Sequence, residues 1–434
     1  MSGMINRHTK VTGKFTFRNA RTPVTKVRPL GEHRQRNPDV EGQRYGQRNA
    51  LLIALRPLLL CMTLSGTFDH WKIEGGHNSC RPLISKCLKC YRITMLVLFV
   101  INFFRYIPTY LEITAFGPDL LTKLMVHLWY LLCILNGYAC YKMVEDHGRL
   151  TNLLQLINSY QDQFENEEEK KAVYSKVRLI TNISMGLGWF FNIGNVVFAG
   201  YMLYKSDIFD NFIAPFTNKN SMSSLIKAVY LFIHFLLSCT WIFTCIATMI
   251  FSLAIYFLLK RFARRIEKIK TRSTPEVQNI LESYRKQHNA LCEMIDVADD
   301  SFSLYVAFSL TVSMLLALML LYNICWYESI RSDPGQLISH IFWLMAVLSN
   351  LSAVAISTGM INQWAHAPLR TLYNLSLTDV SGDFSLQMNV FLQRLNGAPI
   401  GLSAYKLVLM DKHTFIQIGG VLATYFVVLL QFQQ

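Results

Sequence analysis

Long stretches without Asp, Glu, Lys or Arg recur along most of the chain. A helix rises 1.5 Å per residue, so about 20 apolar residues cross the hydrocarbon core of a bilayer. The charge-free stretches are residues 124–141, 179–204, 228–259, 301–327, 335–369 and 413–434, and a further apolar stretch, 93–111, is interrupted only by Arg105. The pattern predicts seven spans, S1 to S7, near residues 91–111, 121–143, 178–204, 226–258, 301–327, 336–360 and 413–432.

The spans are predicted to be helices. Inside lipid every backbone polar group must be satisfied within the protein, and the alternation typical of a transmembrane barrel is missing. Of the 434 residues 52% are hydrophobic and only 16% are charged, a composition that excludes a disordered chain and is atypical of a soluble enzyme. The predicted fold class is therefore an all-α integral membrane protein.

Charge asymmetry predicts the orientation. One set of alternate loops (residues 1–92, 144–175, 260–300 and 361–412) holds 33 of the 42 Lys and Arg, and the opposite loops hold four. Positively charged loops stay in the cytoplasm, so we expect a cytoplasmic N-terminus, an extracellular C-terminus and a multi-pass protein of the plasma membrane. The net charge of +14 is then a topology signal, and no nucleic-acid partner is expected.

Seven segments follow from the spans. Residues 50–68 are apolar but broken by Arg56-Pro57, which suits an interfacial or re-entrant helix. The acidic run in 144–175 is interpreted as a solvated face.

The seven segments are a basic disordered cytoplasmic tail (1–49) that can touch anionic lipids, a pre-S1 segment (50–90), an S1–S4 bundle (91–258), cytoplasmic helices (259–300), S5–S6 (301–360), a cytoplasmic segment (361–412) and S7 (413–434).

The segment 259–300 continues S4 and S5 as helices that meet near residues 271–275. Thr274 suits a helix N-cap and Pro275 the first helical position. Apolar residues at helical spacing run from Val277 to Ala298, passing Ile280 and Ile295. An apolar stripe outside the membrane needs a protein partner, which is either the S6–S7 segment of the same chain or another subunit.

Catalytic constellations are missing, so no enzyme and no cofactor are predicted. Cys87 and Cys90 form one CxxC, with His77 and Cys80 nearby, but no second CxxC completes a zinc site. Reduced, lipid-modified thiols are the preferred interpretation, and no metal is predicted. Arg105 is expected to reach the outer headgroups.

The end of the chain carries the most specific motif. Thr424-Tyr425, five hydrophobic residues and Gln431-Phe432 match the signature that closes insect gustatory receptors. The approach through 401–412, the pre-S1 Leu55-Arg56-Pro57-Leu58, the span number and the length also resemble that family.

The resemblance implies a ligand-gated, non-selective cation channel that assembles as a homotetramer, with related receptor subunits as further partners. S7 of each subunit would line the pore and the cytoplasmic segments would join the subunits. Val428, Gln431 and Phe432 share one face of S7, where four amides can coordinate partly hydrated cations and apolar rings can gate, with Thr424 and Tyr425 as the other polar groups.

The implied ligand pocket, for a small tastant, lies in the outer half of the S2–S6 bundle. Rings with a polar edge suit sugars and planar amphiphiles. Candidates with such groups, together with one Asn, are Trp129, Tyr130, Asn195, Tyr230, His234, Trp241, Tyr322, Trp326, His340 and Trp343.

Three alternatives stay open. An odorant-receptor-like channel subunit shares the topology, and a small-molecule transporter is the alternative from another class. A G-protein-coupled receptor needs an external N-terminus, which the loop charges oppose.

Overall fold

The structure, a computed structural model, describes residues 50–68, 81–112, 118–145, 148–205, 224–271, 274–375 and 381–431. These ranges form helices and one two-stranded hairpin, which confirms the all-α class. The elements are α1 Ala50–Leu64, α2 Arg81–Arg105, α3 Pro118–Glu145, α4 Arg149–Phe164, α5 Glu167–Lys205, α6 Ser224–Glu267, α7 Thr274–Trp326, α8 Glu328–Ser332, α9 Pro334–Ala365, α10 Pro368–Tyr373, α11 Gly382–Asn396, β1 Ser403–Ala404, β2 Val408–Leu409 and α12 Lys412–Gln431, with 3-10 helices at Ile107–Glu112 and Lys268–Thr271.

Six helices in the described ranges are long and apolar enough to cross a membrane. They are α2, α3, α5, α6, α7 and α9, at the positions predicted for S1 to S6. The 20-residue α12 lies at the position predicted for S7 and carries no charged residue after Lys412. The predicted tail 1–49, His77, Cys80 and Phe432 lie outside the described residues.

Helix α6 is the centre of the bundle. Of its most apolar 18 residues 78% are buried, whereas 22% are buried in the corresponding stretch of α2. It packs on α3, α5, α7 and α9. Buried polar side chains join neighbouring helices: Ser309 Oγ donates to Asn350 Oδ1 at 2.9 Å, and Asn192 Nδ2 donates to Cys239 Sγ at 2.9 Å. Such contacts add specificity where lipid supplies no hydrophobic drive between helices.

The pre-S1 segment forms α1, which includes Pro57. Leu51, Leu55 and Leu58 are buried, and the helix packs on α5 and α6. Leu64 on its other side is 69% exposed.

The predicted loop 144–175, whose acidic run was interpreted as a solvated face, is largely helical and forms α4 and the first turns of α5. Its acidic run faces basic residues of α6. Glu165 is buried and accepts from Arg261 Nη1 at 3.1 Å, and Glu169 accepts from Arg265 Nη2 at 2.5 Å. Burial raises the pKa of Glu165, and the two guanidinium groups oppose that rise. Asn166, Glu167, Glu168 and Lys171 of the same run are exposed, as a solvated face requires. The solvated interpretation therefore holds for most of the run and was wrong for Glu165, which is buried against α6.

Helix α7 runs unbroken for 53 residues from Thr274, as the sequence predicted for the extension of S5. Its stripe, including Val277 and Ile295, is buried within this chain, whereas Ile280 is half-buried. His288 contacts the Ala365 carbonyl at 3.3 Å, and its ring lies 5.3 Å from that of Phe391. Both α4 and the S6–S7 segment, through α11 and β1, pack on α7 within this chain, and contact with another subunit stays a prediction.

A short hairpin connects this region to α12. Its turn residues Tyr405 and Lys406 have φ of 50° and 59°, in the left-handed region that disfavours non-glycine residues. Contacts to α7 hold the turn: Ser403 donates from its backbone N to Asp299 at 2.6 Å, and Lys406 pairs with Asp300.

Candidate functional site

A small cavity lies among five helices of the bundle. Each of α3, α5, α6, α7 and α9, the helices at the positions of S2 to S6, contributes to its wall. The lining residues are Met125, Val126, Trp129, Asn195, His234, Trp241, Leu316, Leu320, Trp343 and Val347.

Aromatic rings from three helices, α3, α6 and α9, form part of the cavity wall. The Trp129 ring lies 4.6 Å from that of His234 at a tilt of 37°, and 6.4 Å from that of Trp241, edge to face. Across the cavity, Trp343 Nε1 donates to Asn195 Oδ1 at 2.9 Å. These separations are in the range of favourable ring contacts, so the wall is a packed aromatic surface.

Several buried polar atoms at this wall lack a hydrogen-bond partner in the described part of the chain. They are both ring nitrogens of His234, Nε1 of Trp241 and Nδ2 of Asn195. A buried polar group without a partner costs about 1–3 kcal/mol, so most buried polar groups in proteins are paired. These four atoms, on three side chains of one cavity, could gain hydrogen bonds from a polar ligand.

A second polar group lies beside the cavity. The hydroxyl groups of Tyr130 and Tyr230 are 3.0 Å apart and buried. The Arg105 guanidinium lies 5.7 Å from the Tyr230 ring centroid and donates to Asn102 Oδ1 at 3.0 Å. Arg105 therefore contacts the bundle, whereas the sequence led us to expect the outer headgroups.

The structure thus divides the ten predicted pocket residues. Trp129, Asn195, His234, Trp241 and Trp343 line the cavity. Tyr130 and Tyr230 form the adjacent layer, and His340 lies next to Trp343 with ring centroids 5.5 Å apart.

Tyr322 and Trp326 do not line the cavity. Their rings stack on each other at 5.3 Å and 8°. The turn that carries them faces α3 through Asn323, whose Nδ2 donates to Thr122 Oγ1 at 3.2 Å.

The aliphatic part of the lining was not predicted from the sequence, because the predicted residues were aromatic rings with polar groups and one Asn. Met125 and Val126 precede Trp129 by four and three residues, and Val347 follows Trp343 by four. Helical spacing from the predicted residues would have found these three. Leu316 and Leu320 had no such signal.

Helix α12 presents much of its surface outward. Tyr425 is 56% exposed and Val428 37%, and Gln431 is exposed too. The Thr424 hydroxyl donates back to the Gly420 carbonyl at 2.9 Å. An apolar helix with so much exposed surface needs lipid or further protein around it.

The start of α12 is anchored to α9. The backbone carbonyl of Asp411 would lie 3.2 Å from a Cβ added at Gly359, so a small residue is required at that crossing. Asp411 Oδ1 accepts from Thr414 N at 2.6 Å as an N-cap. These hydrogen bonds hold the pKa of Asp411 below its usual range.

Comparison with known proteins places this fold. Residues 55–434 match the profile of the 7tm chemosensory receptor family. The insect olfactory receptor OR5 of Machilis hrabei, in complex with eugenol, superimposes with a TM-score of 0.69 at 14% identity, over 88% of this chain and 99% of that one. A second structure of that receptor gives 0.64 at 13% identity, over 91% and 100%.

Two curated relatives are gustatory receptors of Drosophila melanogaster. The gustatory receptor for sugar taste 61a is 26% identical over 44% of this chain and 42% of its own length. Gustatory receptor 5a for trehalose is 26% identical over 46% and 43%. The chain thus spans less than half the length of each.

The family match over residues 55–434 and the six described helices that are long and apolar enough to cross a membrane define a multi-pass chemosensory receptor. The chain belongs to the 7tm chemosensory receptor family, and its similarity to gustatory receptors confirms the resemblance that the closing signature indicated.

Proposed function

We propose that the protein is a gustatory receptor of the plasma membrane that acts as a ligand-gated, non-selective cation channel. A small tastant binds in the S2–S6 cavity and opens a pore lined by S7. The observation that carries the ligand site is the set of buried, unpartnered polar atoms on an aromatic wall.

The chemistry of the cavity wall limits which class of tastant would fit. Trp129 and Trp241 offer flat apolar surfaces, and His234 and Asn195 offer hydrogen-bonding groups at their edges. A ligand with one flat apolar face and hydroxyl groups at its rim would use both. The trehalose named for one relative and the eugenol bound to the structural neighbour both carry hydroxyl groups.

The pore proposal rests on α12. Its exposed face includes Val428 and Gln431, and the S7 signature ends there. Four copies around an axis would cover this surface and place four Gln431 amides at the pore, without an acidic ring that selects divalent cations.

Expression of the chain alone in cells without endogenous receptors, with currents recorded over a tastant panel, tests the proposal. In a channel opened by an identified tastant, His234→Ala and Trp241→Ala should each raise the half-maximal concentration about tenfold, as expected for about 1.4 kcal/mol of lost contact. Maximal current should persist, because the pore is unaltered.

Trp326→Ala is the matched control, since that ring lies outside the cavity. An equal rise in the half-maximal concentration for Trp326→Ala and Trp241→Ala would mean that the tastant binds outside the S2–S6 cavity. Tastant accumulation in the cell without current would favour the transporter, and current only beside an odorant-receptor subunit would favour the odorant-receptor alternative.

A further inference from the structure

A second cavity lies between α5 and α6 where both helices leave the apolar core. Two apolar side chains and four cations line it. Its lining residues are Val173, Lys176, Phe257, Lys260, Arg261 and Arg264.

The positive charge here is largely uncompensated. Arg261 bonds to the Glu165 carboxylate. Lys176, Lys260 and Arg264 have no carboxylate within ion-pair distance in the described part of the chain. Three like charges on one small cavity repel one another, so an anion that enters it gains from all three.

Neutral groups hold one of these cations in place. Lys260 Nζ donates to the Tyr256 hydroxyl at 2.7 Å and lies 5.2 Å from the Trp364 ring centroid. Neither contact neutralises its charge, so the ammonium group is positioned and still available to an anion.

The cavity lies at the level of lipid headgroups. The charge-free stretch of α5 begins at residue 179 and that of α6 ends at residue 259. Lys176 and Lys260 are therefore within one helical turn of the hydrocarbon boundary on their respective helices.

An apolar strip continues from the cavity along the outside of α5. Leu179, Ile183, Leu187 and Phe190 follow Lys176 at helical spacing and are 55–62% exposed. A lipid whose headgroup enters the cavity would lay its acyl chains on this strip. A soluble anion would make no use of it, and so the strip favours a lipid.

We infer that this cavity binds the phosphorylated headgroup of an inner-leaflet lipid, with Lys176, Lys260 and Arg264 around the phosphate groups and the acyl chains along α5. Several phosphate groups match several cations, which makes a phosphoinositide the fitting class. The inference goes beyond the proposed channel function and rests on the cytoplasmic orientation of this end of the bundle.

The test uses the purified full chain in phosphatidylcholine nanodiscs, titrated with short-chain phosphatidylinositol bisphosphate. The double variant K176Q/R264Q removes two cations whose side chains make no ion pair in the described chain. It should weaken binding about tenfold or more, from the usual contribution of a basic residue near an anionic headgroup.

The control K171Q/R370Q removes the same charge from exposed positions outside the cavity and should bind within about twofold of the wild type. Thermal unfolding of both variants checks that the fold is retained. Equal binding by K176Q/R264Q and the wild type, or equal weakening by the control, would overturn the inference. Competition by soluble inositol trisphosphate as strong as that by the lipid would overturn the lipid assignment, because the strip would then contribute nothing.

Discussion

At the scale of single residues, hydrogen-bond pairing distinguishes two kinds of buried polar group around the S2–S6 cavity. The hydroxyl groups of Tyr130 and Tyr230 form a hydrogen bond with each other, whereas the ring nitrogens of His234 have no hydrogen-bond partner in the described chain. In the sequence, paired and unpaired polar groups look alike, because both are polar residues within apolar helices. Only the packing of α3 against α6 distinguishes them, because it decides which groups meet.

Asp411 offers a residue-scale prediction for the start of S7. Asp411→Ala removes the N-cap of α12, which costs about 1 kcal/mol and should speed deuterium exchange in its first turn about fivefold. Hydrogen bonds from Thr414 depress the pKa of Asp411 in the folded state, so the cap is fully present above the unfolded value of 3.8 and is lost as pH falls through the lower folded value.

The exchange defect of Asp411→Ala should therefore be the same at about pH 7 and about pH 5. Asp411→Asn keeps a capping oxygen and is the control. A defect that disappears at pH 5, or one that Asp411→Asn reproduces in full, would contradict this role.

At the scale of elements, the apolar stripe in the first half of α7 predicts that this helix face is buried. It does not predict which segment packs on the face. Ile295 is 1% exposed within one subunit, and Ile280 is half-buried. We therefore expect Ile295→Asp to destabilise the subunit itself, because an unpaired charge in its core is costly.

Ile280→Asp should leave the subunit folded and weaken assembly. Thermal unfolding together with native mass spectrometry in nanodiscs distinguishes the two effects. If Ile280→Asp unfolds the subunit as Ile295→Asp does, the stripe has no part in joining subunits.

Helix α12 carries the element-scale prediction about conduction. External thiol reagents should block currents through Gln431→Cys, because the proposed pore exposes that position to water. Gln431→Glu should raise divalent permeability, since up to four carboxylates would then surround the axis.

Lys412→Gln, at the other end of the same helix, is the control for general damage to α12. Phe432→Ala should increase leak by weakening an apolar constriction. Unchanged conductance, permeability ratios and reagent sensitivity in Gln431→Cys would mean that S7 does not line the pore.

At the scale of the whole molecule, the loop charges predict which side each end occupies. An N-terminal tag should bind antibody only after permeabilisation, and a C-terminal tag should bind in intact cells, because 33 of 42 basic residues lie in one set of loops. A tag at the Lys205–Ser224 connection, on the side of the C-terminus, is the internal control. Surface labelling of the N-terminus would revive the G-protein-coupled alternative and remove the orientation on which the lipid site depends.

The sequence by itself determined the all-α class, the positions of the spans, the continuity of α7 and the family. These depend on local properties: the length of charge-free stretches, helical spacing and one closing motif. It also identified five of the residues that line the S2–S6 cavity, because a polar ring or amide in an apolar helix is visible without a neighbour.

Tertiary structure decided the rest. It turned Tyr322 and Trp326 away from the cavity, brought Arg105 to Tyr230, buried Glu165 against Arg261 and buried most of the α7 stripe within the chain itself. Each outcome depends on which helix faces are packed together, and that arrangement is fixed by contacts between residues far apart in sequence. A pattern read along one helix shows which face is apolar or polar, but the neighbour that meets that face is set by the bundle.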